Sequence, residues 1–341
     1  MQLSSLREIE VDIVLPLIFM AIMGLAMLLY VILDGYDLGV GILLHFAPDE
    51  HKDMMVASIG PFWDANETWL VLGVGIMLVA FPAAHGVVLS ALYLPVAIML
   101  MGLIIRGVSF DFRTKANDKH KHLWNRAFAM GSLVAAMSQG WMLGAYVSGF
   151  RDDWWTWAFN AVIALTVPAA YVVLGAGWLI MKAEGDLHAR AVVWARKAIL
   201  PFVFGIAAVS IATPLISETI FNKWFKLPGF FALLPIPLIT AAAFAALWHV
   251  TGKKSIVDAG YGWIVFAATV LVLILATLGL AYSIYPYVVI DRLNVWEAAS
   301  ATSSLVILLV GTLITLPAII GYTIFVYRIF WGKARELTYG A

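Results

Sequence analysis

The chain is predicted to fold as an all-α membrane protein with about nine transmembrane helices. Three observations carry this. Of 341 residues, 63% are hydrophobic and 12% charged, against about a quarter charged in soluble domains. That is too little polar surface to make a shell for a core of this size. Apolar runs long enough to span a bilayer follow one another along the whole chain. And Lys and Arg fall on alternate loops, as the positive-inside rule requires.

The runs cover 11–33, 65–82, 86–106, 125–148, 157–181, 199–220, 229–250, 263–284 and 302–328. As helices rising about 1.5 Å per residue, runs of about 20 residues cross a hydrocarbon core of about 30 Å. The N-terminus has one Arg and three acids before its apolar run, so it reads as a retained first helix, not a signal peptide. Pro95, Pro168, Pro214 and Pro317 fall inside spans. Neighbouring helices can re-satisfy the carbonyls such prolines free. No Ser-, Gly- or Pro-rich linker divides residues 1–341, which read as a single polytopic membrane domain. The loops expected on one side hold Lys52, Arg106, Arg113, Lys115, Lys119, Lys121, Arg126, Lys182, Arg190, Arg196, Lys197, Lys253, Lys254, Arg328, Lys333 and Arg335. The other side holds Arg7, Arg151, Lys223, Lys226 and Arg292. Sixteen against five places the N-terminus outside and the C-terminus in the cytoplasm. Trp154, Trp155 and Trp157 then form an outer aromatic belt.

Formal net charge is zero, which excludes nucleic acid as a partner class. No Cys is present, so thiolate metal sites, iron–sulfur clusters and thiol nucleophiles are excluded. The seven His fall in loops or at span ends; no heme iron ligand and no metal site is expected, and His120 with His122 reads as solvated loop.

Charges within spans mark function by default, and three clusters sit at the expected cytoplasmic ends of the first three spans. In Asp34-Gly35-Tyr36-Asp37-Leu38-Gly39-Val40-Gly41, Asp34 and Asp37 share a helical face with Gly41. Gly35 and Gly39 form a small-xxx-small pair that admits a neighbouring helix. The alternative is a helix end whose acids reach water. In Trp63-Asp64-Ala65-Asn66-Glu67-Thr68-Trp69, Asp64 and Glu67 share a face. They are either a proton-conducting or charge-compensating pair, or Asp64 caps the helix N-terminus beside aromatic anchors. In Arg106-Gly107-Val108-Ser109-Phe110-Asp111-Phe112-Arg113, Arg106 is expected in a buried ion pair, while Arg113 reads as a positive-inside anchor. Trp296-Glu297 before the last span is a weak echo of Trp63-Asp64.

These stretches, with Tyr285-Pro286-Tyr287 and Trp296-Glu297-Ala298-Ala299-Ser300, resemble subunit II of the cytochrome bd family of terminal quinol oxidases, closest to its cyanide-insensitive branch. The resemblance runs from the first span to the last. It departs at Ala65, often Gly in the family, and at Glu297, often Asp. It implies two four-helix bundles plus one further helix in a bacterial cytoplasmic membrane. It implies a partner subunit I that ligates hemes b and d, with quinol and O2 as substrates of the complex. This chain would carry no catalytic residue, but a proton path through Asp64 and Glu67. Asp34, Asp37, Arg106 and Asp111 would form a charge network, with Trp63, Asn66, Trp69, Gly35 and Gly39 packing around it. Some members hold a structural quinone in this subunit or a small accessory subunit; no residue here decides either. A secondary transporter with acids lining an ion pathway is the rival reading, and a purely structural scaffold is the other. Transporter sites lie near the midplane, whereas these acids gather at one end.

Overall fold

The computed structural model describes residues 2–116, 118–227 and 229–334, with the side chains of residues 2–10, 114, 118 and 119 left aside. Of the residues counted for charge, Arg335 and the side chains of Arg7 and Lys119 therefore lie outside the described residues.

In chain order the helices are α1 (Gln2–Leu43), α2 (Asp49–Ile59), α3 (Trp63–Ala80), α4 (Pro82–Lys115), α5 (Asp118–Val147), α6 (Trp154–Lys182), α7 (Gly185–Ile216), α8 (Glu218–Phe225), α9 (Gly229–Leu233), α10 (Pro235–Gly252) and α11 (Lys254–Ile256). A π-helical turn (Val257–Tyr261) leads into α12 (Trp263–Ile284). A hairpin of β1 (Tyr287–Val289) and β2 (Leu293–Asn294), then α13 (Val295–Ala298) and α14 (Thr302–Ile329), complete the fold. Among the described residues, seven segments are long and apolar enough to cross a membrane: Val11–Leu43, Pro82–Arg113, Trp154–Lys182, Gly185–Ile216, Gly229–Gly252, Trp263–Ile284 and Thr302–Ile329. The protein is thus an all-α membrane protein in architecture. The two remaining long helices, α3 and α5, carry much of the buried polar chemistry described below.

Helix α1 packs on α3, α5 and α6; α4 packs on α5; and α6, α7, α10 and α12 pack together. Helix α14 lies against α3 and α1. The centre is α6, with 83% of its apolar window buried, against 39% or less in the other six segments. Its Gly175 shows why. A Cβ there would meet Val40 N at 2.5 Å, and one on Gly39 would meet the Tyr171 carbonyl at 1.8 Å. Only hydrogen atoms allow α1 and α6 this close.

Several boundaries differ from expectation. The first helix does not end near residue 33; it runs to Leu43, so the Asp34–Gly41 stretch is helical and buried. The span expected to run to 220 breaks at Ser217, whose side chain accepts from Ile220 N and starts α8. The 229–250 span is divided near Leu234 by Pro235 at the start of α10. Helix α2 and the short hairpin lie in stretches expected to be loop. Pro95, Pro168, Pro214 and Pro317 all lie inside helices.

Candidate functional site: a buried ion cluster where α1, α3 and α4 meet

The C-terminal part of α1, the first turns of α3 and the C-terminal part of α4 converge at one end of the bundle. Arg106 on α4 is 1% exposed. Its Nη1 donates to Asp34 Oδ1 at 2.5 Å and its Nη2 to Glu67 Oε2 at 3.3 Å. The guanidinium carbon lies 6.0 Å from the Trp63 ring centroid, and Trp63 packs on Phe110 at 5.2 Å. Charge-assisted pairing of this kind is what makes a fully enclosed guanidinium tolerable.

Asp37, one turn on from Asp34 and fully buried, pairs differently. Asn66 Nδ2 donates to Asp37 Oδ2 and to the Tyr36 hydroxyl, both at 2.8 Å, and lies 3.3 Å from the Leu33 carbonyl. The Tyr36 and Tyr327 hydroxyls are 2.6 Å apart, and Tyr327 donates to Asn66 Oδ1 at 3.1 Å. Asn66 therefore links α1, α3 and α14. Among the described residues, Asp34 Oδ2, Asp37 Oδ1, Arg106 Nε and Trp69 Nε1 are buried and find no hydrogen-bond partner. Polar atoms left so are costly, which marks the cluster as more than packing.

The expected residues separate by depth. Asp34, Asp37, Asn66, Arg106 and Trp69 are buried, Glu67 and Trp63 half-buried, and Asp64 and Asp111 exposed. Asp64 stands on the outer turn of α3 with Glu67 one turn further in. Gly35 and Gly39 face Tyr171 and Gly175. Asp111 does not share the burial of the other network acids.

Two residues have partners that the sequence did not name. Arg113, expected as a positive-inside anchor, is 4% exposed and donates to Asn125 Oδ1 and Asp53 Oδ1, each at 2.5 Å. Lys121 adds a contact to Asp53 Oδ2 at 3.0 Å. Partial burial works against the charge of Asp53, but the bonds from Lys121 and Arg113 outweigh it and hold its carboxyl below the usual range. Glu297 in turn completes a capping box. Its carboxylate accepts from Asn294 N at 3.0 Å, while Asn294 Oδ1 accepts from Glu297 N at 2.9 Å. The extra methylene of Glu over Asp suits that reach back.

Sequence reasoning missed Tyr30, Tyr327, Gln139 and Tyr171. Gln139, an amide inside the 125–148 run, was the available signal; tyrosines are too ordinary in spans to stand out. None of the seven His side chains is buried. A heme iron takes its axial ligand from a buried face, so the His set of this chain does not fit one.

Residues 15–330 match the family of cytochrome bd terminal oxidase subunit II. The chain belongs to that family. It is 28% identical to the cytochrome bd ubiquinol oxidase subunit 2 of Bacillus subtilis, over 87% of this chain and 90% of that protein. It is 25% identical to the cytochrome bd-I ubiquinol oxidase subunit 2 of Escherichia coli K12, over 95% and 96%. In fold it is similar to a chain of the bd oxidase from Geobacillus thermodenitrificans. The TM-score is 0.75 at 18% identity, covering 94% of this chain and 99% of that one. This subunit II is thus a multi-pass membrane protein.

Proposed function

We propose that the chain is the subunit II of a quinol:O2 oxidoreductase of aerobic respiration, and that its part in the reaction is to bring protons in from the cytoplasm. Family membership over nearly the whole chain supports the first statement, and the relatives are named as ubiquinol oxidase subunits. The transporter reading is not favoured. One observation carries the proton reading: Asp64, exposed, and Glu67, half-buried, step inward along α3 toward the buried Asp34–Arg106 pair.

In this reading α3 and α5 complete nine crossings. Helices α1, α3, α4 and α5 form one four-helix bundle and α6, α7, α10 and α12 the second, with α14 as the further helix; the packing pairs support this. Residues 1–341 act as one membrane unit in a bacterial cytoplasmic membrane. The sixteen-to-five division of Lys and Arg supports a cytoplasmic C-terminus. It puts the ion cluster at the cytoplasmic end. Hemes b and d belong to the complex and are ligated by the partner subunit I. The unburied histidines of this chain support that division of labour.

Asp64 accepts protons from bulk water and passes them to Glu67. Arg106 and Asp34 hold Glu67 in place from behind, Asp37 and Asn66 keep the α1–α3 contact, and Trp63 covers the guanidinium. Drawing protons from inside stores about 2.3 kcal/mol per charge per 100 mV. Asp64→Asn in the assembled oxidase should lower quinol-dependent O2 uptake by on the order of a hundredfold with the heme spectrum intact. Wild-type uptake by that variant would end the proton role.

A further inference from the structure

Helix α14 is held loosely along its length. Of its apolar window 11% is buried, and Thr312 and Thr315 turn back to carbonyls of α14 itself. Its C-terminal end is different. Lys182 Nζ, at the end of α6, donates to the Phe330 carbonyl at 2.7 Å. The chain after α14 then lies back over the end of α6. Ala334 N donates to the Lys182 carbonyl and Lys333 Nζ to the Ala183 carbonyl, each at 2.9 Å. Lys182 is 9% exposed, with Nζ 4.9 Å from the ring centroid of Trp178 and 5.4 Å from that of Phe62. The Tyr327 ring packs on the same two rings, 4.6 Å from Phe62 and 6.1 Å from Trp178.

Tyr327 in turn closes a ring of hydrogen bonds. The Leu33 carbonyl can only accept, so it fixes Asn66 Nδ2 on its side and leaves Oδ1 on the other. Tyr327 donates to that Oδ1, and its own oxygen therefore receives the Tyr36 hydrogen. Asn66 Nδ2 donates back to the Tyr36 oxygen. Each member gives one hydrogen to the ring and takes one, an arrangement in which each bond strengthens the next. A further bond leaves the ring at 2.8 Å, from Asn66 Nδ2 to Asp37 Oδ2. We infer that Lys182 is a positioning residue: by holding the Phe330 carbonyl it keeps Tyr327 in reach of Asn66 Oδ1, and so fixes the residue next to Glu67 on α3. The inference rests on the reading of Glu67 as a proton carrier. Tyr327 precedes Phe330 by three residues, about one turn of α14. Freed from Lys182, that turn can move off Phe62 and Trp178 toward lipid, because little of α14 is buried against the bundle. Asn66 Oδ1 then loses its donor, the amide is free to turn, and α3 loses its fixed rotation at Glu67.

The test uses the purified oxidase with its partner subunit, in Lys182→Met, Tyr327→Phe and the double variant, with assembly judged by the heme spectrum. Lys182→Met keeps the length of the side chain and removes the donor. It should lower kcat for quinol-dependent O2 uptake by about tenfold with the KM for quinol unchanged. Tyr327→Phe should do the same, and the double variant should match Tyr327→Phe alone, because both act through one link. Amide hydrogen exchange over residues 323–330 should rise in Lys182→Met and stay at the wild-type rate in Tyr327→Phe, where the Phe330 carbonyl is still held. A wild-type kcat in either single variant overturns the inference. So do unchanged exchange in Lys182→Met and losses that multiply in the double variant, the mark of a general structural role. If Lys182→Met does not assemble, Lys333→Met, on the exposed side of the same contact, carries the test. Its loss should be smaller and should vanish in a Tyr327→Phe background. Glu67→Gln separates the two levels. Wild-type uptake in Glu67→Gln defeats the proton reading itself. Loss of uptake in Glu67→Gln with an unaltered kcat in Lys182→Met defeats only the role of Lys182.

Discussion

Arg106 holds two carboxylates of different standing, one enclosed and one half-exposed. Replacing it by Gln leaves Asp34 buried with no cation. Removing one partner of a buried pair costs about 3–5 kcal/mol, which should show as lost assembly with the heme-bearing partner and reduced recovery of the subunit from the membrane. Normal recovery of Arg106→Gln would mean that water reaches Asp34. Arg106 was legible in the sequence because a cation at the end of an apolar run next to two acidic clusters has little else to do. For Arg113 the same logic named no partner. Its partners Asp53 and Asn125 lie in stretches that looked like loop and helix end, and only folding brings α2 under it. Tyr327, 291 residues from its hydroxyl partner Tyr36, carried no local signal.

At the scale of elements, hydrophobic length located each long helix, because lipid demands uninterrupted backbone hydrogen bonding. It could not locate their ends where helices continue past the apolar run, as α1 does through Asp34 and Asp37. There polar side chains are enclosed by other helices, so hydropathy falls while the helix goes on. The small-residue pair was legible, and its partner was not: Gly39 needed Gly175, from a span 136 residues later, to explain it. Gly39→Leu should force α1 from α6 and abolish assembly, while Gly24→Leu on the same helix, where a Cβ meets nothing within 4 Å, should be tolerated; equal recovery of the two subunits would refute the close-approach argument. Helix α2 is tied through Asp53, whose proton affinity falls on folding. A depressed carboxyl stabilises above its unfolded value, near pH 4, and loses that contribution as pH falls through the lower folded value. Hydrogen exchange in α2 should therefore rise as the pH drops below about 4, and the rise should be present already at neutral pH in Asp53→Asn. An α2 whose protection is indifferent to both changes would place its anchor elsewhere, in Met55, Val56 and Ile59.

The whole molecule sets the direction in which any proton travels, and that depends on which end of the bundle faces the cytoplasm. In the proposed nine-crossing reading, the basic residues divide sixteen to five between the two sets of connections, and the C-terminal part of α1, the start of α3 and the C-terminal part of α4, which the ion cluster joins, fall on the basic side. The same reading would put Trp154, Trp155 and Trp157, all more than half exposed, at the opposite interface, where amphipathic rings settle. The chain has no Cys, so a single introduced thiol reports its side without background. Lys115→Cys and Arg292→Cys are both exposed positions in connections of opposite assignment. A membrane-impermeant maleimide added to intact, outer-permeabilised cells should label Arg292→Cys and reach Lys115→Cys only after the inner membrane is opened. The reverse pattern would turn the subunit over, and with it the claim that Asp64 draws protons from inside. It would leave the helix packing and the Arg106 cluster as they are, since neither depends on which compartment lies beyond Asp64.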